Sequence, residues 1–239
     1  MIKRNIPNAI TCCNLLCGCL AIIQTFEGHL VMASYLVILA AIFDFFDGFA
    51  ARLFKVSSNI GKDLDSLADM VTFGVVPGLL IHKLMSDIIL NNPTGVPIQL
   101  IYVPLIIPIF SAIRLAKFNN DTRQSESFIG LPTPANAIFI VSLCLLSNQI
   151  DYTSSILMFF HPYTLAALSV ILSFALIAEI PLFSLKFKHF KWRENEIRFV
   201  FLALSLLLLG AFQFLGVMLI IILYVVMSLI NNRLQKKIS

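Results

Sequence analysis

The stretch Asp44–Asp69, DFFDGFAARLFKVSSNIGKDLDSLAD, decides how the chain is read. It carries five aspartates, at 44, 47, 63, 65 and 69, in a chain that is otherwise almost entirely apolar. On an α-helix, Asp44, Asp47, Gly48 and Ala51 fall on one face, at spacings of three, four and seven. Gly61, Asp65 and Asp69 share a face of the following helix, each four residues from the last. Two such helices side by side bring four carboxylates together. Unpaired, these would repel one another strongly in a low dielectric. Divalent cations relieve that repulsion, and an all-oxygen donor set suits Mg²⁺ or Mn²⁺. Gly48, Ala51 and Gly61 are small and leave room for a bulky ligand beside the metals. Asp63 points off this face, toward solvent.

The rest of the chain supplies the setting. Of its 239 residues 59% are hydrophobic and 13% charged, with a mean hydropathy of +0.91. A soluble domain has about 25% charged residues, so the bilayer is the expected solvent. Backbone groups in lipid must pair internally, which leaves helices or a closed barrel. Long apolar runs without alternation predict an all-α integral membrane protein. Eight spans are expected, at about 8–26, 31–53, 62–86, 98–118, 134–150, 163–185, 197–212 and 214–232. Glu27-Gly28-His29 and Asn91–Pro97 read as turns, and the weakest break runs from Gly210 to Gly216. No small-residue cleavage site follows the first apolar run, so a cleaved signal peptide is not expected.

Basic residues set the orientation. Lys3 and Arg4, then Arg52, Lys55 and Lys62, then Arg114, Lys117 and Arg123, fall on one side. The cluster from Lys186 to Arg198 and the tail with Arg233, Lys236 and Lys237 fall there too, whereas Lys83 lies toward the other side. This alternation predicts both termini, and the acidic stretch, on the cytoplasmic face of the cell membrane. The net charge of +4 is a topology signal and an attraction to anionic lipid, and gives no reason to expect nucleic acid.

The spacing Asp44-x2-Asp47-Gly48-x2-Ala51-Arg52-x8-Gly61-x3-Asp65-x3-Asp69 resembles the signature of the CDP-alcohol phosphatidyltransferase family at every fixed position. The resemblance implies that an alcohol hydroxyl attacks a CDP-linked lipid at phosphorus and that CMP leaves. It further implies that Asp44, Asp47, Asp65 and Asp69 hold two metal ions, with Asp69 also the general base. Gly48, Ala51 and Arg52 resemble the CDP-binding positions, with Arg52 near phosphate and Gly61 beside them. A homodimer is implied as well.

Three further stretches resemble one branch of that family, the integral-membrane phosphatidylserine synthases. The first is IPNAITCCNLLCGCLAI, with Pro7-Asn8, Thr11, Asn14-Leu15 and Gly18 at the usual spacing. Asn8 and Thr11 lie one turn apart and suit a cytidine or its ribose. The other two are Ser111–Asn119 and Phe128–Ala137, which resemble the alcohol-side segment. The implied substrates are CDP-diacylglycerol and L-serine. Serine is a zwitterion whose carboxylate calls for a cation, preferably a forked guanidinium. Arg114, Lys117 and Arg123 lie on the side of the aspartates, with Asn119 as a polar partner. Arg114 is the foremost candidate because it sits within the apolar helix. Gly130, Pro132 and Pro134 read as shaping the loop. As domains, residues 1–150 form the catalytic core and 151–239 add transmembrane helices packed on it.

The remaining chemistry-bearing residues read plainly. Cys12, Cys13, Cys17, Cys19 and Cys144 lack companion histidines and read as small apolar residues. Trp192 suits an interfacial belt. Glu179 is expected deep in the sixth span, either structural or neutralising a lysine. Other acceptors (glycerol 3-phosphate, inositol phosphate or choline) are the nearest alternatives. A cation transporter would want its charges near the midplane with access from both sides, and no matching acidic group lies opposite. A lipid-binding scaffold would not need four metal-type ligands.

Overall fold

The computed structural model describes residues 2–56, 58–91, 95–121, 128–149, 159–183, 192 and 195–238. Helix α1 spans Ile2–Phe26 and α2 spans Leu30–Phe54, antiparallel partners joined by a turn with Gly28 at φ 85°. Lys55 ends α2 in the left-handed conformation, and Ser58 then caps α3, Asn59–Asp69, by accepting from the Gly61 amide at 3.0 Å. This short link sets the C-terminal end of α2 beside the N-terminal end of α3, the two elements that carry the aspartates.

A π-helical turn, Met70–Val75, joins α3 to α4, Val76–Asn91, in one rod of 33 residues. At 1.5 Å per residue the rod is about 50 Å long, more than a hydrocarbon core of ~30 Å. Part of it must stand outside the apolar layer or tilt, and α3 is its polar end. The rod is also the centre of the bundle. Half of its most apolar window is buried, against 6% for the last helix. Phe73, Val76, Leu80, Ile81 and Met85 pack in the core with Val37 of α2. Gly18 of α1 lies against Thr72, and Gly78 against Pro108 on the next rod, so small residues let the helices approach closely.

That next rod starts as a 3₁₀ turn, Ile98–Leu105, and continues as α5, Ile106–Asn120. Pro97 precedes the turn, and Pro104 and Pro108 withhold amide donors along it. A two-residue strand β1, Phe128–Ile129, leads into α6, Thr133–Ser147, and α7 spans Pro162–Ile177. Strand β2, Pro181–Leu182, pairs antiparallel with β1, with Phe128 opposite Leu182 and Ile129 opposite Pro181. Helix α8 spans Glu196–Ile238 and breaks at Gln213, at φ 48° and ψ −119°. Gly216 abuts the carbonyl of Leu208. A straight helix would hold residues eight apart at about 12 Å, so the chain folds back here into two limbs. The second limb packs on the core through Phe214, Met218, Ile221 and Val225.

Among the described residues the protein is therefore all-α apart from the β1–β2 bridge. Each of the eight apolar stretches overlaps helix, but among the described residues five helices are long and apolar enough to cross a membrane. Helices α6 and α7 are shorter, and the seventh and eighth stretches are the limbs of α8. The sixth stretch, expected to run to residue 185, stops being helical at Ile177. Ala178 is extended, at φ −61° and ψ 136°, and Pro181 disfavours helix at Ile180 before it. Glu179 consequently sits in an exposed loop beyond α7, not deep in a span.

Candidate active site

Carboxylate oxygens of Asp44, Asp47 and Asp65 all lie within 4.8 Å of one another. Asp69, one turn beyond Asp65, meets Asp44 side chain to side chain. The arrangement follows from the local helices. Asp44 and Asp47 are a turn apart on the last stretch of α2, and Asp65 and Asp69 a turn apart at the end of α3. The π turn begins at the residue after Asp69. Such turns are common at functional sites, because the extra residue shifts the face that follows.

Helix α1 supplies the hydrogen bonds. The Thr11 hydroxyl donates to Asp47 Oδ2 at 2.6 Å and lies 3.0 Å from the Pro7 carbonyl. Asn14 Nδ2 donates to Asp69 Oδ1 at 3.4 Å, and the Thr72 hydroxyl donates to the Asn14 carbonyl at 3.3 Å. Asn8 Oδ1 faces Gly61, where an added Cβ would come within 3.0 Å of it.

These residues surround a cavity of about 540 Å³. Asn8, Thr11, Gly48, Ala51, Arg52 and Gly61 line it with the four aspartates. Arg114 stands on the same wall as Phe118, Pro132 and Pro134. Arg114 as a residue is 7% exposed; its guanidinium donates from Nη1 to Thr133 Oγ1 at 2.8 Å and lies 5.3 Å from the Phe118 ring centre. The Arg114 Nε has no protein partner among the described residues.

The other acceptor-side candidates separate. Lys117 is exposed and lines a smaller chamber next to Arg114. Asn119 is a brace between α5 and α3, off the cavity wall. Its Nδ2 donates to Ser66 Oγ at 2.8 Å, and its carbonyl accepts from Lys62 Nζ at 2.9 Å. Arg123 lies outside the described residues. No individual site role is expected from the sequence for Thr133, Asn14, Lys62, Ser58 or Phe118, although Asn14 belongs to the first-helix motif and Lys62 to the basic residues that set orientation. A signal existed for Thr133, since a buried arginine needs an acceptor and this is the polar residue starting the next apolar helix.

The cluster suits hard cations. Its donors are all oxygens, and among the described residues no lysine or arginine forms an ion pair with any of the four aspartates. Four converging carboxylates without a basic partner leave a charge that divalent ions would balance.

Fold and site together define a helical membrane protein with an oxygen-donor cluster opening on a cavity. The family model described as CDP-alcohol phosphatidyltransferase matches residues 4–178, through α7 and past residue 150. The chain belongs to the CDP-alcohol phosphatidyltransferase family. It is 37% identical over 148 residues to a CDP-diacylglycerol–serine O-phosphatidyltransferase of Helicobacter pylori, covering 61% of this chain and 60% of that one. A Bacillus subtilis protein of the same name is 34% identical over 192 residues, 80% of this chain and 94% of its own length. An archaetidylserine synthase of Methanothermobacter thermautotrophicus is 32% identical over 157 residues, 64% of this chain and 63% of its own. The chain thus spans 60% of the length of the Helicobacter relative and nearly all of the Bacillus one.

Proposed function

We propose that the chain transfers the phosphatidyl group of CDP-diacylglycerol to the hydroxyl of L-serine, giving phosphatidylserine and CMP. The observation that carries this reading is the convergence of Asp44, Asp47, Asp65 and Asp69 on a cavity with a buried Arg114 on its wall. The relatives' names supply the acceptor. Asn8 and Thr11 bind the cytidine end, Gly48, Ala51 and Gly61 leave room for it, and Arg52 faces phosphate. Two divalent ions, Mg²⁺ or Mn²⁺, held by the aspartates would neutralise the pyrophosphate and hold attacking and leaving oxygens in line. Asp69 takes the proton from the serine hydroxyl as the new oxygen–phosphorus bond forms and the bond to CMP breaks. Arg114 holds the serine carboxylate with its fork of donors, and Lys117 adds positive charge nearby; Arg123, outside the described residues, is a further candidate for the carboxylate. Asn119 acts through α3, which it ties down, more than on serine.

The enzyme works in the cell membrane as a homodimer, its active site and both termini toward the cytoplasm. The basic residues around α2, α3 and α5 support that orientation. Helix α8 packs on the catalytic core as part of the same domain. The test is CMP release by purified protein in detergent with CDP-diacylglycerol, offering serine, glycerol 3-phosphate, inositol phosphate and choline in turn. Serine-dependent release is expected. Release without serine, or only with another acceptor, overturns the assignment.

A further inference from the structure

The acceptor's ammonium group has no partner among the residues assigned so far. A second chamber of about 40 Å³ adjoins the main cavity and shares Arg114 and Phe118 with it. We propose that this chamber receives the α-ammonium of the acceptor amino acid and that Glu179 selects for it; the inference rests on the serine reading above.

The chamber is small beside the main cavity of about 540 Å³. One water needs about 10–15 Å³ of such space, so the chamber admits a few heavy atoms, enough for an ammonium and the carbon that bears it. The rest of the acceptor must lie in the main cavity, with its hydroxyl toward Asp69. Arg114 borders both spaces, which is where a carboxylate on the intervening carbon would sit. The chamber is also polarised. Arg114 and Lys117 lie one turn apart on α5, and Glu179 is on the loop after α7. Among the described residues neither cation forms an ion pair with Glu179. Opposite charges held apart in this way match a zwitterion. They disfavour acceptors carrying only phosphate or only an ammonium, so discrimination comes from repulsion as well as attraction.

One segment holds both ends of this arrangement. Thr133 accepts from Arg114, and just before it the Gly130 amide donates to the Ile180 carbonyl at 3.0 Å and the Leu131 amide to the Ala175 carbonyl at 2.9 Å. Gly130 has φ 77°, and a Cβ there would come within 2.6 Å of the Leu176 carbonyl and 2.9 Å of the Ala178 carbonyl. The Glu179 loop is thus laced to the residues that seat Arg114. From the other side Tyr224 donates to the Phe183 carbonyl at 2.7 Å and Asn232 to the Pro181 carbonyl at 2.6 Å. Asp121 lines the chamber too, but it already carries an interaction within the fold.

The test compares wild type, Glu179→Gln, Glu179→Asp and Asp121→Asn in the CMP-release assay. Glu179→Gln should raise KM for serine roughly three- to tenfold, the modest effect of a partly solvated charge pair. Its kcat and its KM for CDP-diacylglycerol should stay within about twofold of wild type, and Glu179→Asp should recover part of the loss. 3-Hydroxypropionate, which keeps hydroxyl and carboxylate but lacks the amine, should inhibit Glu179→Gln as well as wild type or better. Weakening of serine and 3-hydroxypropionate alike marks a structural role and overturns the proposal. An unchanged serine KM, or the selective pattern appearing in Asp121→Asn instead, also overturns it. A wild type that gives no serine-dependent CMP fails the proposed function itself, before any variant is compared.

Discussion

Removing the Arg114 side chain tests the least direct link between site and substrate. The guanidinium is buried, spends one donor on Thr133 and leaves Nε without a protein partner. A charge-assisted hydrogen bond contributes about 1.5–3 kcal/mol, so Arg114→Ala should raise KM for serine roughly 10- to 150-fold. Arg114→Lys keeps the charge but loses the fork, and should fall between the two. The substitution also has a structural cost. Thr133 is fully buried and would lose its donor, which costs about 1 kcal/mol. Melting therefore has to be followed alongside kinetics, and KM for CDP-diacylglycerol serves as the internal control. Serinol makes the assay decisive, because it has hydroxyl and amine but no carboxylate. It should be a poor acceptor for wild type and should lose little more with Arg114→Ala. If the variant harms serine and serinol equally, Arg114 is structural and the assignment fails.

Chelation with EDTA should abolish CMP release and Mg²⁺ or Mn²⁺ restore it; full activity in metal-free buffer would refute the cation reading of the aspartates. Asp69→Asn should lower kcat by roughly 10²–10⁴ while retaining much of the CDP-diacylglycerol affinity. Near-normal turnover would remove Asp69 as the base. Gly130→Ala should lower stability by about 1–3 kcal/mol, because its backbone is left-handed and the new Cβ meets two carbonyls. An unchanged melting temperature in detergent would show that the β1–β2 lacing is not rigid.

The acidic face was legible because helical periodicity is strict. Spacings of three and four put Asp44 with Asp47, and Asp65 with Asp69, wherever the helix ends fall. The lacing around Glu179 was not legible. The run FALIAEIPLF continues the apolar character of α7 past its last helical residue, so hydropathy carries no break there. Only Pro181 marks the stop, and it acts on the residue before it. The π turn is hidden for a related reason: Met70–Val75 is as apolar as α4, into which it runs. Asn119 misled in the opposite direction. Its position on α5 near Arg114 fits an acceptor site, but its side chain turns toward Ser66, which only the packing of α5 against α3 reveals.

That packing also bears on how the site is kept in a protein made mostly of apolar contacts. Asn14 Oδ1, Ser111 Oγ, Arg114 Nε and both amide atoms of Asn136 are buried without protein partners among the described residues. A buried polar group without a partner costs about 1–3 kcal/mol if it stays dry. These atoms gather near the site, whereas two others of the kind, Ser34 Oγ on α2 and Ser205 Oγ on α8, do not. Asn14 bonds Asp69, Ser111 lies one turn from Arg114, and Asn136 lies one turn from Thr133. Apart from Arg114, which lines the cavity, they form a second layer behind its wall, in α1, α5 and α6, and the apolar packing of α4 against α6 must offset them. An apolar side chain at any of these positions would need no hydrogen-bond partner. Polar atoms at such depth make sense where a ligand, an ion or ordered water completes them. The layer ties the wall to its helices, since Asn14 holds Asp69 from α1 and Thr133 holds Arg114 from α6.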